Sequence, residues 1–429
     1  MAPTTEPSWL ELAASSDKHI TKVLRALAAR ESKRHTARAI SQQRALDPSE
    51  SIPTVKPLAS FLNRKPDVQL HHVEHYSVAA GVHKENRGMN RYLDIIPYDR
   101  TRLIVGEDKD HSQEQAGKLH GRYLNANWVM ERFGHKWWIA TQAPLRNTAH
   151  VFLSVMLQPI VRPPHADPPK SKTTRIRTVV QLTQNFENGR KKADAYFSSD
   201  VGKFFLIPPE EGCYTPALKV TTLDRKEFKK AHCVQSTVSI SPYRPDQRVA
   251  KESRRRGSGQ NDQDQSSVAD IGEEVIFRHL LYLSWPDHGV PEPEDRDSLL
   301  EFIKLVDRTN RDKSHCSIHS SGPPDHLCPE LDPDPPIMVG CSAGVGRTGT
   351  LIALSSLLRH YGLLPPPAQP TAATINHDSP LGPLPDDLKD DLVLQEIDSL
   401  REQRPGMVQR TEQTLLIYEV LSNAFAKSS

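Results

Sequence analysis

One short segment of the sequence combines residues that could carry out chemistry on a phosphate ester. In PIMVGCSAGVGRTGT (336–350), an apolar run ends at Gly340 and Cys341, and a glycine-rich loop leads into a second apolar-periodic stretch. This order predicts a strand, a tight loop and a helix. Backbone N–H groups of such a loop, at the positive end of a helix, form a cradle for an oxyanion.

Two side chains frame this predicted cradle. Cys341 stands at its start, and Arg347 follows six positions later. The residues between them are small or apolar and would line a bound phosphate: Ser342, Ala343, Gly344, Val345 and Gly346. A guanidinium can bind phosphate through two parallel hydrogen bonds, while the N–H groups and the helix dipole favour a nucleophilic thiolate. The segment therefore predicts attack by Cys341 on a phosphate that Arg347 holds.

A phosphate-binding loop of a nucleoside triphosphatase is the main alternative for a glycine-rich loop before a helix. That motif requires a lysine immediately before its hydroxyl residue, whereas Arg347 precedes Thr348 here. No aspartate follows a nearby apolar strand, as the second motif of those enzymes requires. A simple packing role for the cysteine is the other alternative, and the arginine at this spacing argues against it.

The composition of the 429-residue chain sets the class of protein. Lys plus Arg (55) and Asp plus Glu (53) nearly cancel, so we predict no nucleic-acid binding. The 35 prolines and the hydrophobic fraction of 37% indicate an ordered domain interrupted by polar inserts. No stretch reaches the roughly 18 apolar residues that a membrane span needs. Five scattered cysteines without a secretory start predict free thiols in the cytoplasm.

Apolar periodicity predicts the elements that must position the loop. Strand and turn structure is expected in RYLDIIPYDRTRLIV, YLNANWV, KWWIATQAP and RIRTVVQLTQ. A helix is expected in RDSLLEFIKLVDRT (296–309), with apolar residues at 299, 300, 303, 305 and 306, and two more helices at the end of the chain.

Charged or proline-rich segments divide these elements. Four of them predict disordered inserts at loop positions of one fold, near 162–172, 243–270, 312–336 and 363–387. Residues 1–50 are interpreted as a basic, helical or flexible N-terminal segment that is solvated rather than docked. Residues 51–429 are interpreted as one catalytic domain.

The chain resembles the protein tyrosine phosphatase family, because CSAGVGRTG (341–349) is similar to the family signature C-x5-R-[ST]. From about residue 80 to residue 423, outside the inserts, further stretches resemble family motifs in the expected order. They are NRYLDI (90–95), YLNAN (123–127), IATQAP (139–144), VVQLTQNFENGRKK (179–192), SWPDHGVP (284–291) and QRPGMVQRTEQ (403–413). The resemblance implies the tyrosine-specific, non-receptor branch. It also implies a single α+β domain with a twisted mixed sheet flanked by helices.

The activity that the resemblance implies is hydrolysis of phosphotyrosine in proteins, as a step in signal transduction. Cys341 would be the nucleophile and form a cysteinyl phosphate, with Arg347 as the phosphate clamp. Asp287 would be the general acid and then the base that activates water. The resemblance implies phosphotyrosine proteins as partners and no metal or other cofactor.

Further roles follow from the same resemblance. Tyr92 would line a deep slot that only phosphotyrosine can fill, and Asp94 would accept hydrogen bonds from the substrate backbone. Gln409 would position the hydrolytic water, with Gln413 beside it. Thr348 would donate a hydrogen bond to the departing thiolate. In support of these groups, Glu187 would orient Arg347, and Lys192 would steady Asp287.

Two departures from the family pattern bear on activity. Gly340 stands where the family usually has the histidine that supports the loop, so we expect activity that is reduced or displaced to higher pH. Ala143 replaces a glycine, and a positive φ there would strain the turn. Gly340 keeps a second function open, a catalytically weak pseudophosphatase that binds phosphotyrosine. The NRYLDI and QRPGMVQRTEQ motifs argue against a dual-specificity phosphatase.

Two patterns in the inserts have weaker interpretations. The group His315, Cys316, His319, His326 and Cys328 fits no compact zinc finger, so an irregular loop is preferred to a metal site. The basic stretch 251–257 resembles a nuclear-import signal, which leaves a nuclear location open beside the cytoplasmic one, although a solvated loop is preferred. Nothing in the sequence predicts an oligomeric state.

Overall fold

The computed structural model describes residues 6–46, 70–106, 121–157, 175–243, 274–287, 289–314, 332–368 and 379–427. Part of the insert at 363–387 is ordered, because Leu364 is buried and the Gly382 carbonyl accepts Arg30 Nη1 at 3.0 Å, so the prediction of disorder across that whole segment is wrong. The predicted insert at 162–172 lies wholly outside these ranges, and so do 244–270, 315–331 and 369–378 of the other three. The same holds for the histidine and cysteine group at 315–328 and for the basic stretch 251–257. Those predictions stay predictions.

The helices of the described residues are α1 (Ser8–Ser15), α2 (Asp17–Leu46), α3 (Leu70–His75), α4 (Ala79–Val82), α5 (Ala149–Leu157), α6 (Arg296–Arg311), α7 (Gly346–His360), α8 (Leu392–Gln403) and α9 (Thr411–Ala426). The strands are β1 (Arg102–Val105), β2 (Arg122–Met130), β3 (Trp137–Gln142), β4 (Thr178–Gln181), β5 (Phe186–Glu187), β6 (Arg190–Lys191), β7 (Phe204–Ile207), β8 (Ala217–Phe228), β9 (Cys233–Tyr243), β10 (Val275–Tyr282) and β11 (Ile337–Cys341). No helix within the described ranges is both long enough and apolar enough to cross a membrane.

Nine of these strands form one sheet in the order β1-β2-β3-β11-β4-β10-β9-β8-β7. The central strands β3, β11, β4 and β10 are parallel, and antiparallel pairs extend the sheet on both sides. The predicted mixed sheet is therefore confirmed. Because the carboxyl ends of the parallel strands meet at one edge, the segments that follow them converge there.

Apolar residues cover both faces of this sheet. Neighbouring residues of β11 point to opposite faces, as the pleat requires: Val339 packs in the core formed with α6 to α9, and Met338 packs in the core formed with α5. The five apolar positions predicted for α6 are all buried. The two cores hold the sheet on both faces and so fix the position of the edge where the loops after the parallel strands meet.

The N-terminal segment is helical, as predicted, but the expectation that it is solvated is wrong. The side chain of Arg34 in α2 is fully buried, and its Nη2 atom lies 2.6 Å from carboxylate oxygens of both Asp398 and Glu402 in the region of α8. Arg30 lies 2.8 Å from Asp398. Buried cations require such partners. Part of the basic face of α2 therefore points inward, toward the carboxylates of the α8 region.

Candidate active site

The phosphate loop, Cys341 to Arg347, joins β11 to α7 at the edge where the parallel strands end. Cys341 is only 6% exposed. The backbone N–H of Gly344 donates to the Cys341 sulfur at 3.3 Å. The loop therefore curls around the sulfur with an N–H group directed at it, which suits a negatively charged atom.

The glycines of the loop are required by close backbone approach. Gly344 has φ +72°, and a Cβ there would lie 2.1 Å from the backbone oxygen of Thr141. A Cβ at Gly346 would lie 2.8 Å from the side-chain nitrogen of Gln413. Real Cβ atoms do not come this close to their neighbours, so a larger residue at Gly344 would displace the backbone of β3, and one at Gly346 would displace the Gln413 side chain.

Arg347 is held in one orientation by four acceptors. Its Nη1 donates to Glu187 Oε1 at 2.7 Å and to the Leu182 carbonyl at 2.9 Å. Its Nη2 donates to Glu187 Oε2 at 2.8 Å and to the Pro286 carbonyl at 2.9 Å. Burial lowers the pKa of Arg347. The hydrogen bonds to Glu187 and the nearby Cys341 and Asp287 raise it by more, so the pKa lies above its ordinary value. The guanidinium is therefore a fixed positive charge.

The acid-bearing loop, Ser284 to Pro291, is folded over the phosphate loop. One carboxylate oxygen of Asp287 lies 2.8 Å from Lys192 Nζ, and the other lies 3.6 Å from Arg347 Nη2. Trp285 is buried, and its indole N–H donates to the Gly289 carbonyl at 3.1 Å. The predicted pairs of Asp287 with Lys192 and of Arg347 with Glu187 are thus in contact.

Tyr92 reaches the phosphate loop from a separate segment. Its hydroxyl lies 2.8 Å from the Ser342 hydroxyl, which donates to the Lys192 carbonyl at 2.8 Å. The neighbouring Arg91 anchors this segment, because its backbone N–H donates to the Gln142 side chain at 2.8 Å. Asp94 is exposed at the surface beside Tyr92.

Other predicted site residues are placed less directly. Gln409 is exposed, and its side chain makes no hydrogen bond to another residue that the structure describes. It follows Val408, whose φ of +53° is strained for a β-branched residue. Gln413 is buried, and its side-chain oxygen accepts the Arg410 N–H at 3.1 Å. The buried hydroxyl of Thr348 has no hydrogen-bond partner among the described residues.

Arg404 belongs to the site but was not predicted. It is fully buried, its Nε donates to the Gly344 carbonyl at 2.8 Å, and its Nη2 donates to the Ala343 carbonyl at 3.1 Å. Asn125 and Asn127 accept its remaining hydrogen bonds, and burial lowers its pKa to about 10. The signal in the sequence is a single charged residue, Arg404, within the segment QRPGMV (403–408). Arg404 braces the back of the phosphate loop.

The two departures from the family pattern have different outcomes. Ala143 does not occupy the left-handed region, so no strain arises there. Gly340 faces β3, and a Cβ at this position would lie 2.7 Å from the Thr141 backbone oxygen and 3.3 Å from its Cγ2. The glycine therefore permits a close approach of β11 to β3, and a histidine cannot simply be added.

We expect Gly340→Ala to lower the free energy of unfolding by about 1–3 kcal/mol, the range for an added methyl group without space. Urea denaturation measures this change. Gly88→Ala is the matched control, because no atom lies within 4 Å of a Cβ added there. Equal stability of the two variants would contradict the steric interpretation of Gly340.

Comparisons with known proteins all identify one family. The family model for protein-tyrosine phosphatase matches residues 86–363. Mouse tyrosine-protein phosphatase non-receptor type 18 is 24% identical, over 82% of this chain and 55% of the relative. Rat non-receptor type 20 is 23% identical, over 80% and 55%. Mouse receptor-type phosphatase eta is 28% identical, over 64% of this chain and 16% of the relative.

A solved structure of the catalytic domain of human non-receptor type 18 is 22% identical and covers 81% of this chain and 88% of that chain, with a TM-score of 0.49. The matched region spans about half the length of the curated non-receptor relatives, and about a sixth of the receptor-type one. Because the family model matches more than half of the sequence, the chain belongs to the protein-tyrosine phosphatase family.

Proposed function

We propose that the protein hydrolyses phosphotyrosine in proteins through a cysteinyl-phosphate intermediate. The observation that carries this proposal is the convergence of three groups from separate segments on one loop. The Gly344 N–H points at the Cys341 sulfur, and the Asp287 carboxylate lies 3.6 Å from the guanidinium of Arg347. A nucleophile, an anion clamp and an acid are the groups that transfer of a phosphoryl group to sulfur needs.

In the first step, the Cys341 thiolate attacks phosphorus and an S–P bond forms. The bond from phosphorus to the tyrosine oxygen breaks, and protonated Asp287 gives its proton to that oxygen. Arg347 and the backbone N–H groups of the loop stabilise the negative charge on the equatorial oxygens.

In the second step, water attacks the phosphorus of the cysteinyl phosphate and Asp287 accepts its proton. The S–P bond breaks, and inorganic phosphate leaves. Lys192 Nζ, 2.8 Å from a carboxylate oxygen of Asp287, would hold this side chain over the phosphate loop. The buried Thr348 hydroxyl, without a partner among the described residues, is available to donate to the departing thiolate. The exposed Gln409 would orient the water, and Gln413 would hold the neighbouring backbone by accepting the Arg410 N–H.

Selection of phosphotyrosine is assigned to the wall beside the loop. The Tyr92 ring, fixed through its hydroxyl to Ser342, adds depth that a phosphoserine side chain cannot span. The exposed Asp94 carboxylate would accept N–H groups of the substrate backbone. A cytoplasmic or nuclear location and a role in signal transduction remain predictions from the sequence.

The test compares phosphate release from a phosphotyrosine peptide and from the same peptide with phosphoserine. We expect turnover of the first and at least a hundredfold slower release from the second, since only the longer side chain reaches Cys341. Comparable rates would contradict the tyrosine-specific proposal. Tight binding of the phosphotyrosine peptide without phosphate release would favour the second candidate, a binding module, for which Gly340 is the supporting observation.

Replacing the general acid gives a more selective prediction. We expect Asp287→Asn to lower kcat/KM for the phosphotyrosine peptide by about 10²–10³, within the range for loss of general acid catalysis. The loss should be much smaller for 4-nitrophenyl phosphate, because its leaving group needs no proton. Steady-state kinetics on both substrates measures the difference. Glu292→Gln, an exposed carboxylate just after the loop, is the control and should change neither rate; equal losses on both substrates in Asp287→Asn would argue against an acid.

A further inference from the structure

His232 occupies an unusual position between β8 and β9, away from the phosphate loop. It follows the short turn Lys229–Ala231 and has φ +39° and ψ +49°, in the left-handed region. Residues with side chains rarely adopt this conformation, and those that do are held there by their surroundings.

The side chain contacts both flanks of the acid-bearing loop. Its Nδ1 atom lies 2.5 Å from the Ser284 hydroxyl and 3.1 Å from a carboxylate oxygen of Asp295. Ser284 immediately precedes Trp285, whereas Asp295 follows the loop and leads into α6. The His232 carbonyl also accepts the Leu283 N–H at 2.8 Å. One residue therefore bonds to the chain before and after Asp287.

The flank at Asp295 is itself fixed to the body of the protein. Its carbonyl accepts the Ser298 hydroxyl of α6 at 2.7 Å, and the Ser298 hydroxyl also lies 2.7 Å from the buried Tyr282 hydroxyl. Nδ1 of His232 is within hydrogen-bond distance of both the Asp295 carboxylate and the Ser284 hydroxyl, so one ring atom joins the two flanks. The bridge thus connects the start of the loop to a rigid frame.

We propose that His232 is a positioning residue for the phosphatase reaction: by tying Ser284 to Asp295, it holds the acid-bearing loop in the arrangement that brings Asp287 over the phosphate loop. The proposal rests on the proposed role of Asp287. His232 makes no contact with Cys341 or Arg347 among the hydrogen bonds and ion pairs of the described residues, so it acts through the loop rather than on the substrate.

Two substitutions separate the side-chain bridge from the backbone conformation. His232→Gly keeps the left-handed backbone at no steric cost and removes the bridge. His232→Asn also tolerates this backbone and retains an N–H donor close to the position of Nδ1. Thermal unfolding of both variants establishes that they are folded at the assay temperature.

We expect His232→Gly to lower kcat/KM, which covers the step that releases the leaving group, by about tenfold for phenyl phosphate and for a phosphotyrosine peptide, the scale of a small misplacement of a catalytic group. The same variant should lose less than about twofold on 4-nitrophenyl phosphate, because an activated leaving group does not need the acid. His232→Asn should stay within about threefold of wild type on all substrates. A plot of log kcat/KM against the pKa of the leaving group is therefore steeper for His232→Gly than for wild type or His232→Asn.

A purely structural role for His232 predicts equal losses on good and poor leaving groups, and that result would overturn the proposal. No loss in His232→Gly, or an equal loss in His232→Asn, would also overturn it. Asp287→Asn is the reference arm. If Asp287→Asn steepens the plot and His232→Gly does not, only the His232 proposal fails; if Asp287→Asn does not steepen it, the acid assignment fails and the His232 proposal falls with it.

Discussion

Replacing Cys341 by serine is expected to abolish phosphate release from a phosphotyrosine peptide, with a loss of about 10⁴–10⁶ in kcat, as when other covalent nucleophiles are removed. The change exchanges sulfur for oxygen and leaves the loop backbone intact. A serine hydroxyl remains protonated near neutral pH, and the hydrogen bond to this position from a described residue comes from the Gly344 N–H, a donor that cannot act as a base. Single-turnover assays of phosphate release measure the loss.

Binding should survive this substitution, because the clamp and the N–H cradle do not depend on sulfur. We expect the Kd of the phosphotyrosine peptide for Cys341→Ser to stay within about threefold of wild type, measured by calorimetry. Cys213→Ser is the control, because Cys213 is half-buried and its sulfur lies 3.3 Å from the Thr215 hydroxyl, which a serine hydroxyl can also contact. Full turnover in Cys213→Ser and none in Cys341→Ser would locate the nucleophile; turnover in Cys341→Ser within tenfold of wild type would contradict the assignment.

Another described cysteine is excluded as a competing nucleophile by its surroundings. Cys233 is fully buried at the start of β9. Burial raises the pKa of this thiol to about 12, although a backbone hydrogen bond with Leu281 lowers it in part. Such a thiol is protonated at neutral pH and reacts slowly.

The centre of the site could be predicted because its chemistry is local in sequence. Cys341 and Arg347 are six positions apart on one strand-loop-helix unit, and the small residues between them meet the steric limits seen at Gly344 and Gly346. The apolar period of α6 was sufficient for the same reason, since five positions on one helix report one buried face. A pattern within a single helix or strand-loop-helix unit can be interpreted without knowing which distant segments pack against it.

Contacts between distant segments were less accessible to sequence reasoning. The sequence predicts solvated cationic residues in α2, but the carboxylate partners of Arg34, Asp398 and Glu402, lie more than 360 positions away. Charge periodicity indicates a polar face but carries no information on whether an opposite charge covers it. Arg404 and His232 went unpredicted because each acts on a loop contributed by another part of the chain.

Strands β7 to β9 are also not evident from sequence. β8 contains the polar run Asp224–Glu227, which is exposed in the structure. This part of β8 lacks the alternating apolar pattern that predicts a strand, and its antiparallel pairing with β9 holds it in the sheet. This long hairpin matters to the site, because its turn carries His232.

Arg347→Lys is expected to lower kcat/KM for the phosphotyrosine peptide by about 10²–10³, the scale for loss of a main donor to a developing anion. The positive charge is kept, but an ammonium cannot bind phosphate through two parallel hydrogen bonds. It also cannot satisfy both oxygens of Glu187 together with the carbonyls of Leu182 and Pro286. Glu187 would then lose its bidentate partner in a mostly buried position.

Arg359→Lys is the matched control, because Arg359 is another buried arginine of α7. Its guanidinium pairs with Glu131 at 3.2 Å and with Asp307 at 3.0 Å, away from the phosphate loop. Both lysine variants should be less stable to urea, since each leaves buried carboxylates imperfectly paired. Only Arg347→Lys should lose activity per folded molecule. If neutralising charge were the whole contribution of Arg347, its lysine variant would retain activity within about tenfold of wild type. A larger loss, with Arg359→Lys unaffected, would show that the reaction uses the planar geometry of the guanidinium, which Glu187 fixes.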